Sequence, residues 1–135
     1  MSTPPRPVPQ PDEDSAPFWD AAARHELVIQ KCASCGTLRH PPRPMCPACR
    51  STDVTWVKAS GRGRVWSCIV AHPPVLPAFA EKVPYNVVVI QLEGGIRMIG
   101  NLLDVPPGQI TEGMEVAVDF EDLDEGVSLP AWRPA

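Results

Sequence analysis

Between Glu115 and Glu121 apolar and polar side chains alternate without a break: Val116, Val118 and Phe120 fall on one face, Glu115, Ala117, Asp119 and Glu121 on the other. That period of two is the signature of a half-buried strand. Tyr85 to Leu92 is nearly continuous in apolar residues, which predicts a strand covered on both faces. Gly94-Gly95 then reads as the turn of a tight hairpin into Ile96 to Leu103. Val65 to Ala71, after Gly61-Arg62-Gly63, and Val127 to Trp132 complete five short strands. With too few residues for a two-sheet sandwich, they predict a small closed or partly closed barrel of the OB type.

Upstream the periodicity changes. A short helix is expected over 15–26, with Asp14 or Ser15 as its cap, Pro17 in the first turn and Ala21, Ala22 and Ala23 favouring continuation. Phe18 and Trp19 supply its apolar side. Leu27 to Lys31 and Val54 to Lys58 read as strands around a cysteine-rich segment. Residues 1–14 hold five prolines and an acidic Asp12-Glu13-Asp14 cluster, a composition too poor in buriable surface to offset the entropy of ordering. The expected division is a disordered tail over 1–14, the helix over 15–26, a metal-binding ribbon over 27–58 and the barrel over 59–135. Within the barrel, His72 to Pro84 combines Pro73, Pro74, Pro77 and Pro84 with Val75, Leu76 and Phe79. Such a stiff apolar loop serves either as a plug beneath the barrel or as a docking or ligand-lining element.

The firmest chemistry lies in Cys32, Cys35, Cys46 and Cys49, a CxxC-x10-CxxC array. Each CxxC turn presents two thiolates, and the connection through Pro41, Pro42 and Pro44 returns the chain for the second pair. Four thiolates close a tetrahedron and leave no position for water or substrate, so the ion folds the chain and does no chemistry. Zn2+ is favoured, with iron as the alternative that a colourless preparation excludes. Gly36 suits the positive φ of the first knuckle, whereas Arg50 follows the second, which is therefore expected to turn differently. Lys31, Arg39 and Arg50 flank the ligands and can offset the surplus negative charge.

Charge sharpens this division. Eight basic residues against two acidic ones run from Arg24 to Arg64, and eight acidic ones with no basic from Asp104 to Glu125. Either the halves attract each other within the fold or the basic half faces an anion. Five cysteines with a metal pattern point to a reducing cytoplasm. No signal core, transit helix or membrane-spanning stretch is legible. No nucleophile elbow, P-loop, dinucleotide fingerprint or HExxH motif occurs either. His25, His40 and His72 lack a partnered base at readable spacing and read as structural, and Cys68 reads as a small mid-strand hydrophobe. No catalytic residue is assigned.

The order FWDAAARHEL, CASCGTLRHPPRPMCPACRS, GRGRVWSCIVAHPP and VPYNVVVIQLEGGIRMIGNLL resembles the family of small proteins that join a rubredoxin-like zinc ribbon to an OB fold and accompany thiolase-like enzymes of acyl-CoA metabolism. The resemblance runs from about Phe18 to Glu121, with Ile69 where the family often has threonine and Arg50 where it has glycine. It implies a non-catalytic accessory subunit in a hetero-oligomer, binding or bridging acyl-CoA for a thiolase-like partner in acyl transfer, condensation or the retro-aldol shortening of steroid side chains. Coenzyme A carries phosphates at one end, so Arg39, Arg43, Arg62 and Arg64, with His72, are the expected acyl-CoA contacts. Phe18, Trp19, Leu76 and Phe79 are the expected partner interface. The rival from another class is a module binding single-stranded nucleic acid. It draws on the basic stretch but lacks repeated exposed aromatics and carries the acidic 104–125 segment.

Overall fold

The computed structural model describes residues 7–72, 76–79 and 82–135. The first six residues of the expected tail, Pro73, Pro74 and Val75 of the Pro-rich loop, and the side chain of Phe79 lie outside the described part. No helix among the described residues is long and apolar enough to cross a membrane.

A single helix, α1 (Ala16–Ala23), opens the fold. Ser15 precedes it with Pro17 in the first turn, but its hydroxyl does not cap the helix. Instead Ser15 and Asp12 exchange two hydrogen bonds, Asp12 N–H to Ser15 Oγ and Ser15 N–H to Asp12 Oδ1. The helix ends at Ala23, short of the expected Glu26. Glu26 N–H reaches back to the Ala21 carbonyl and His25 N–H to that of Ala22, while His25 takes a φ of 60°. This is a Schellman stop with histidine in the position glycine usually fills. His25 therefore lies past the last turn, where its Nε2 meets Asp122 Oδ1 at 2.7 Å and its ring stacks on Phe120.

The ribbon is a three-stranded antiparallel sheet of β1 (Val28–Cys32), β2 (Leu38–Arg39) and β3 (Val54–Lys58), in the order β2-β1-β3. The barrel is a curled five-stranded sheet of β4 (Arg62–Ala71), β5 (Tyr85–Gln91), β6 (Arg97–Gly100), β7 (Glu115–Asp122) and β8 (Ser128–Pro134), ordered β6-β5-β4-β7-β8. Its edges meet because Leu102, just past β6, bridges in parallel to Trp132 of β8. The Asn86 side chain holds that segment, donating to the Leu102 carbonyl at 2.8 Å and accepting from Leu102 N–H at 2.7 Å. A buried amide thus supplies the pairing that β6 has stopped making. The result is the OB architecture.

One apolar core runs through all three parts: Phe18 from the helix, Leu27 and Ile29 from the ribbon, and Val65, Val88, Ile90, Met98, Val116 and Trp132 from the barrel. The ribbon also touches the β5–β6 turn, where Gly94, at a φ of 71°, faces Leu38; a Cβ there would stand 2.8 Å from Leu38 Cδ1.

The β5 expectation needs correction. Its burial alternates, with Asn86, Val88 and Ile90 inside while Val87 and Val89 are half-buried. A barrel strand has one face on the core and one outward, so a continuous apolar run here does not signal two covered faces. The β4 strand starts at Arg62, three residues earlier than the turn-like glycines suggest, since Gly63 lies where Ile90 and Leu92 approach too closely for any side chain.

Candidate metal centre and the surrounding surfaces

The two CxxC knuckles are built alike. In the first, Gly36 N–H bonds the Cys32 carbonyl and Cys32 N–H the Thr37 carbonyl; in the second, Arg50 N–H bonds Cys46 and Cys46 N–H bonds Ser51. Both turns pass through positive φ, 80° at Gly36 and 66° at Arg50. The expectation that the second knuckle turns differently is therefore overturned. The paired hydrogen bonds impose the same path on both, and Arg50 accepts a left-handed conformation that disfavours a Cβ.

The four Sγ atoms converge within 4.8 Å of one another. Cys32 and Cys49 sulfurs stand 3.5 Å apart, Cys35 and Cys46 sulfurs 3.6 Å. A zinc–thiolate bond of about 2.3 Å sets the edges of a regular tetrahedron at about 3.8 Å, so the donor set fits one ion. Cys32 and Cys46 are buried beneath the exposed Cys35 and Cys49. Backbone N–H groups of Cys35 and Ala48 point at the buried sulfurs, at 3.4 Å in each case. The Thr37 hydroxyl and backbone hold the Cys35 thiol down to about 6, whereas Cys49, despite the Ser51 backbone N–H, is pushed up to about 12 by the Cys32 and Cys35 sulfurs beside it. Such a centre supplies folding energy when loaded and has no open coordination position.

The arginines expected to meet acyl-CoA do not form one cluster. Arg39 is 4% exposed, and its Nε and Nη2 donate to the carbonyl of Arg43. The Arg43 N–H in turn donates to Oε1 of the buried Gln30 at 2.7 Å, so this pair shapes the ribbon loop. The Arg43 side chain is exposed, as are those of Arg62, Arg64 and His72. Arg62 and Arg64 line a cavity of about 700 Å³ with Trp66, Gln91, Glu93, Glu112 and Glu115. There Arg64 is paired to Glu115 at 2.8 Å.

Of the expected interface residues, Phe18 is buried and meets Trp19 edge-on, with ring centroids 5.1 Å apart. Trp19 is half-buried, and Leu76 is exposed. Phe18, Trp19 and His40 line a second cavity, of about 400 Å³, with Pro41, Pro42 and Met98. Burial there lowers the His40 imidazole to about 4 and keeps it neutral.

Sequence reasoning passed over the outer side of β4–β6. Trp66, Ile69 and Ile99 are exposed there, and the Arg97 guanidinium lies 3.8 Å over the Trp66 ring. No signal in the chain marks them: Ile69 and Ile99 occupy outward positions of β4 and β6, and an apolar outward residue looks like a core residue until the register is known.

Comparison with known proteins agrees with this architecture. Residues 19–55 match the rubredoxin-like zinc ribbon domain of ChsH2, and residues 56–121 match the ChsH2 C-terminal OB-fold domain. The 3-oxo-4,17-pregnadiene-20-carboxyl-CoA hydratase alpha subunit of Mycobacterium tuberculosis is 40% identical over 126 residues, covering 93% of this chain and 39% of that protein. This chain thus spans about two fifths of that relative's length. A DUF35 domain-containing scaffold protein of Methanocaldococcus jannaschii is 38% identical over 116 residues, covering 82% of this chain and 81% of that one. Among solved structures, the Ltp2-ChsH2(DUF35) aldolase superposes with a TM-score of 0.85 at 45% identity, covering 93% of this chain and 98% of the matched one. With a four-sulfur ribbon and an OB barrel in the same order as these relatives, the chain belongs to the ChsH2 (DUF35) family of zinc-ribbon and OB-fold proteins.

Proposed function

We propose that this chain is a non-catalytic accessory subunit that binds or bridges acyl-CoA for a thiolase-like enzyme. The observation that carries the reading is its likeness, over 93% of its length, to the ChsH2 (DUF35) chain of an aldolase complex. The name of the pregnadiene-carboxyl-CoA hydratase relative favours a steroid side-chain CoA thioester and retro-aldol cleavage as the setting. A saturated metal centre is consistent with a supporting part, because a site with every ligand position taken cannot activate substrate. The exposure of Arg43, Arg62, Arg64 and His72 supports their contact with a nucleotide from solvent, while Arg39 acts through the loop that it holds.

The test mixes the purified, zinc-loaded chain with the Ltp2 aldolase and measures complex formation, CoA-thioester cleavage with and without the chain, and acyl-CoA affinity. A complex, cleavage that depends on the chain, and affinity that falls at least tenfold on charge reversal at Arg43 and Arg62 are expected. A chain that neither joins the aldolase nor alters cleavage defeats the reading. Salt-sensitive binding of single-stranded oligonucleotides would favour the nucleic-acid alternative. That alternative has the basic ribbon on its side, but Trp66 is the one exposed aromatic of the barrel strands among the described residues.

A further inference from the structure

The outer surface of the barrel is divided. Register fixes which side chains point away from the core: Ile69 pairs with Val87, Ser67 and Ile99 each pair with Val89, and Arg97 pairs with Gln91. Their neighbours along the strands are Val88, Ile90 and Met98, all buried, and Cys68 and Val70, half-buried, so these residues share the outer face. Ile69 is 63% exposed and Ile99 71%. Val87 and Val89 lie between them and are half-buried. The register shift between Val65 and Ser67 adds Trp66 to the same face, under Arg97. Ile69, Val87, Val89 and Ile99 thus adjoin one another over three adjacent strands, with Ser67 between them and Trp66. Scattered single apolar residues are ordinary on a protein surface; a contiguous patch of this kind marks an interaction site.

Charge indicates what covers it. The strands β4, β5 and β6 contain Arg62, Arg64 and Arg97 and no carboxylate. Strand β7 contains Glu115, Asp119, Glu121 and Asp122 and no basic residue. Glu115 pairs with Arg64, whereas Arg62 and Arg97 make no ion pair among the described residues. Arg62 and Arg64 share their cavity with Glu93, Glu112 and Glu115, so the cation left at the edge of the apolar face is Arg97. Its complement is an apolar surface with a carboxylate opposite Arg97, and the stacked Trp66–Arg97 pair is of the type that anchors such contacts.

We infer that the outer face of β4–β5–β6, centred on Ile69, Val87, Val89 and Ile99 and bordered by Trp66 and Arg97, is the surface on which the thiolase-like partner enzyme docks, through an apolar patch with a carboxylate that meets Arg97. This rests on the accessory role proposed above and names the face that performs it. It differs from the helix residues Phe18 and Trp19 expected from sequence. Phe18 is committed to the core, and the docking face lies on the barrel.

The experiment titrates the full zinc-loaded chain into the Ltp2 aldolase and measures Kd for wild type, Ile69→Glu, Ile99→Glu, Arg97→Glu and Arg97→Lys, with Asp124→Lys as a control away from the face. Far-UV dichroism and zinc content establish that each variant is folded. Both isoleucine variants and Arg97→Glu are expected to weaken binding at least tenfold. Arg97→Lys should weaken it less, the control should leave it within twofold, and wild-type affinity should fall as salt rises. Wild-type binding with the isoleucine variants within threefold of it overturns the face while leaving the accessory role intact. Failure of the wild type to bind at all overturns both. A wild-type homodimer that the isoleucine variants dissolve, with aldolase binding unchanged, assigns the face to a second copy of this chain and likewise overturns the inference.

Discussion

The ribbon and the barrel reach the folded state by different means. Inside the barrel, Val65, Val88, Ile90, Met98, Val116 and Trp132 come from every strand and exclude water from one another. At the knuckles, Ser34, Cys35, Gly36, Cys49 and Arg50 are all exposed, and only Cys32 and Cys46 are buried. A module with so little apolar surface to hide replaces a core with a metal ion. One region is thus specified by four atoms at fixed spacing, the other by side chains that meet only after distant strands have paired.

The sharpest way to break this comparison is to remove the ion. Chelation, or Cys46→Ser, is expected to abolish a metal-linked stabilisation on the order of 10 kcal/mol and to unfold the ribbon. Amide exchange should accelerate across 28–58 while β4–β8 retain their protection; simultaneous collapse of both would show that the barrel also depends on the metal. The reverse experiment is Trp132→Ala, which empties the middle of the barrel and is expected to remove about 3–5 kcal/mol in denaturant titrations. Zinc content at low denaturant should stay unchanged, because no metal ligand touches that position. The smallest effect tests the likeness of the two knuckles: Arg50→Gly relieves a left-handed residue and should raise stability by about 1 kcal/mol, read as an increased Tm. A lowered Tm would mean that the arginine charge beside the thiolates outweighs the strain.

Much of this was legible in the chain because it is local. The metal centre follows from cysteine spacing, β3 falls on the expected Val54–Lys58, and the alternation from Glu115 appears as β7. What escaped depends on partners far away in sequence. The helix stops at Ala23 because His25 adopts a left-handed turn and meets Asp122 and Phe120 of β7, and no residue nearby announces that. The Ser128 hydroxyl and His25 together hold the Asp122 carboxyl below its ordinary range. The short β2 was missed because two residues carry no period. The burial of Arg39 was not legible either, since its partner is a backbone carbonyl of its own loop. The outward isoleucines of β4 and β6 were invisible for the same reason that β5 was read as doubly covered: composition does not tell the inside of a barrel from its outside.

The contact between Leu38 and Gly94 has a mechanical meaning. A hydrogen atom at position 94 leaves the notch that the leucine fills, so the zinc finger cannot swivel against the strands without first withdrawing that side chain. Whatever protein grips the barrel consequently receives the knuckles at a fixed bearing, like a key whose bow and bit are cut from one blank.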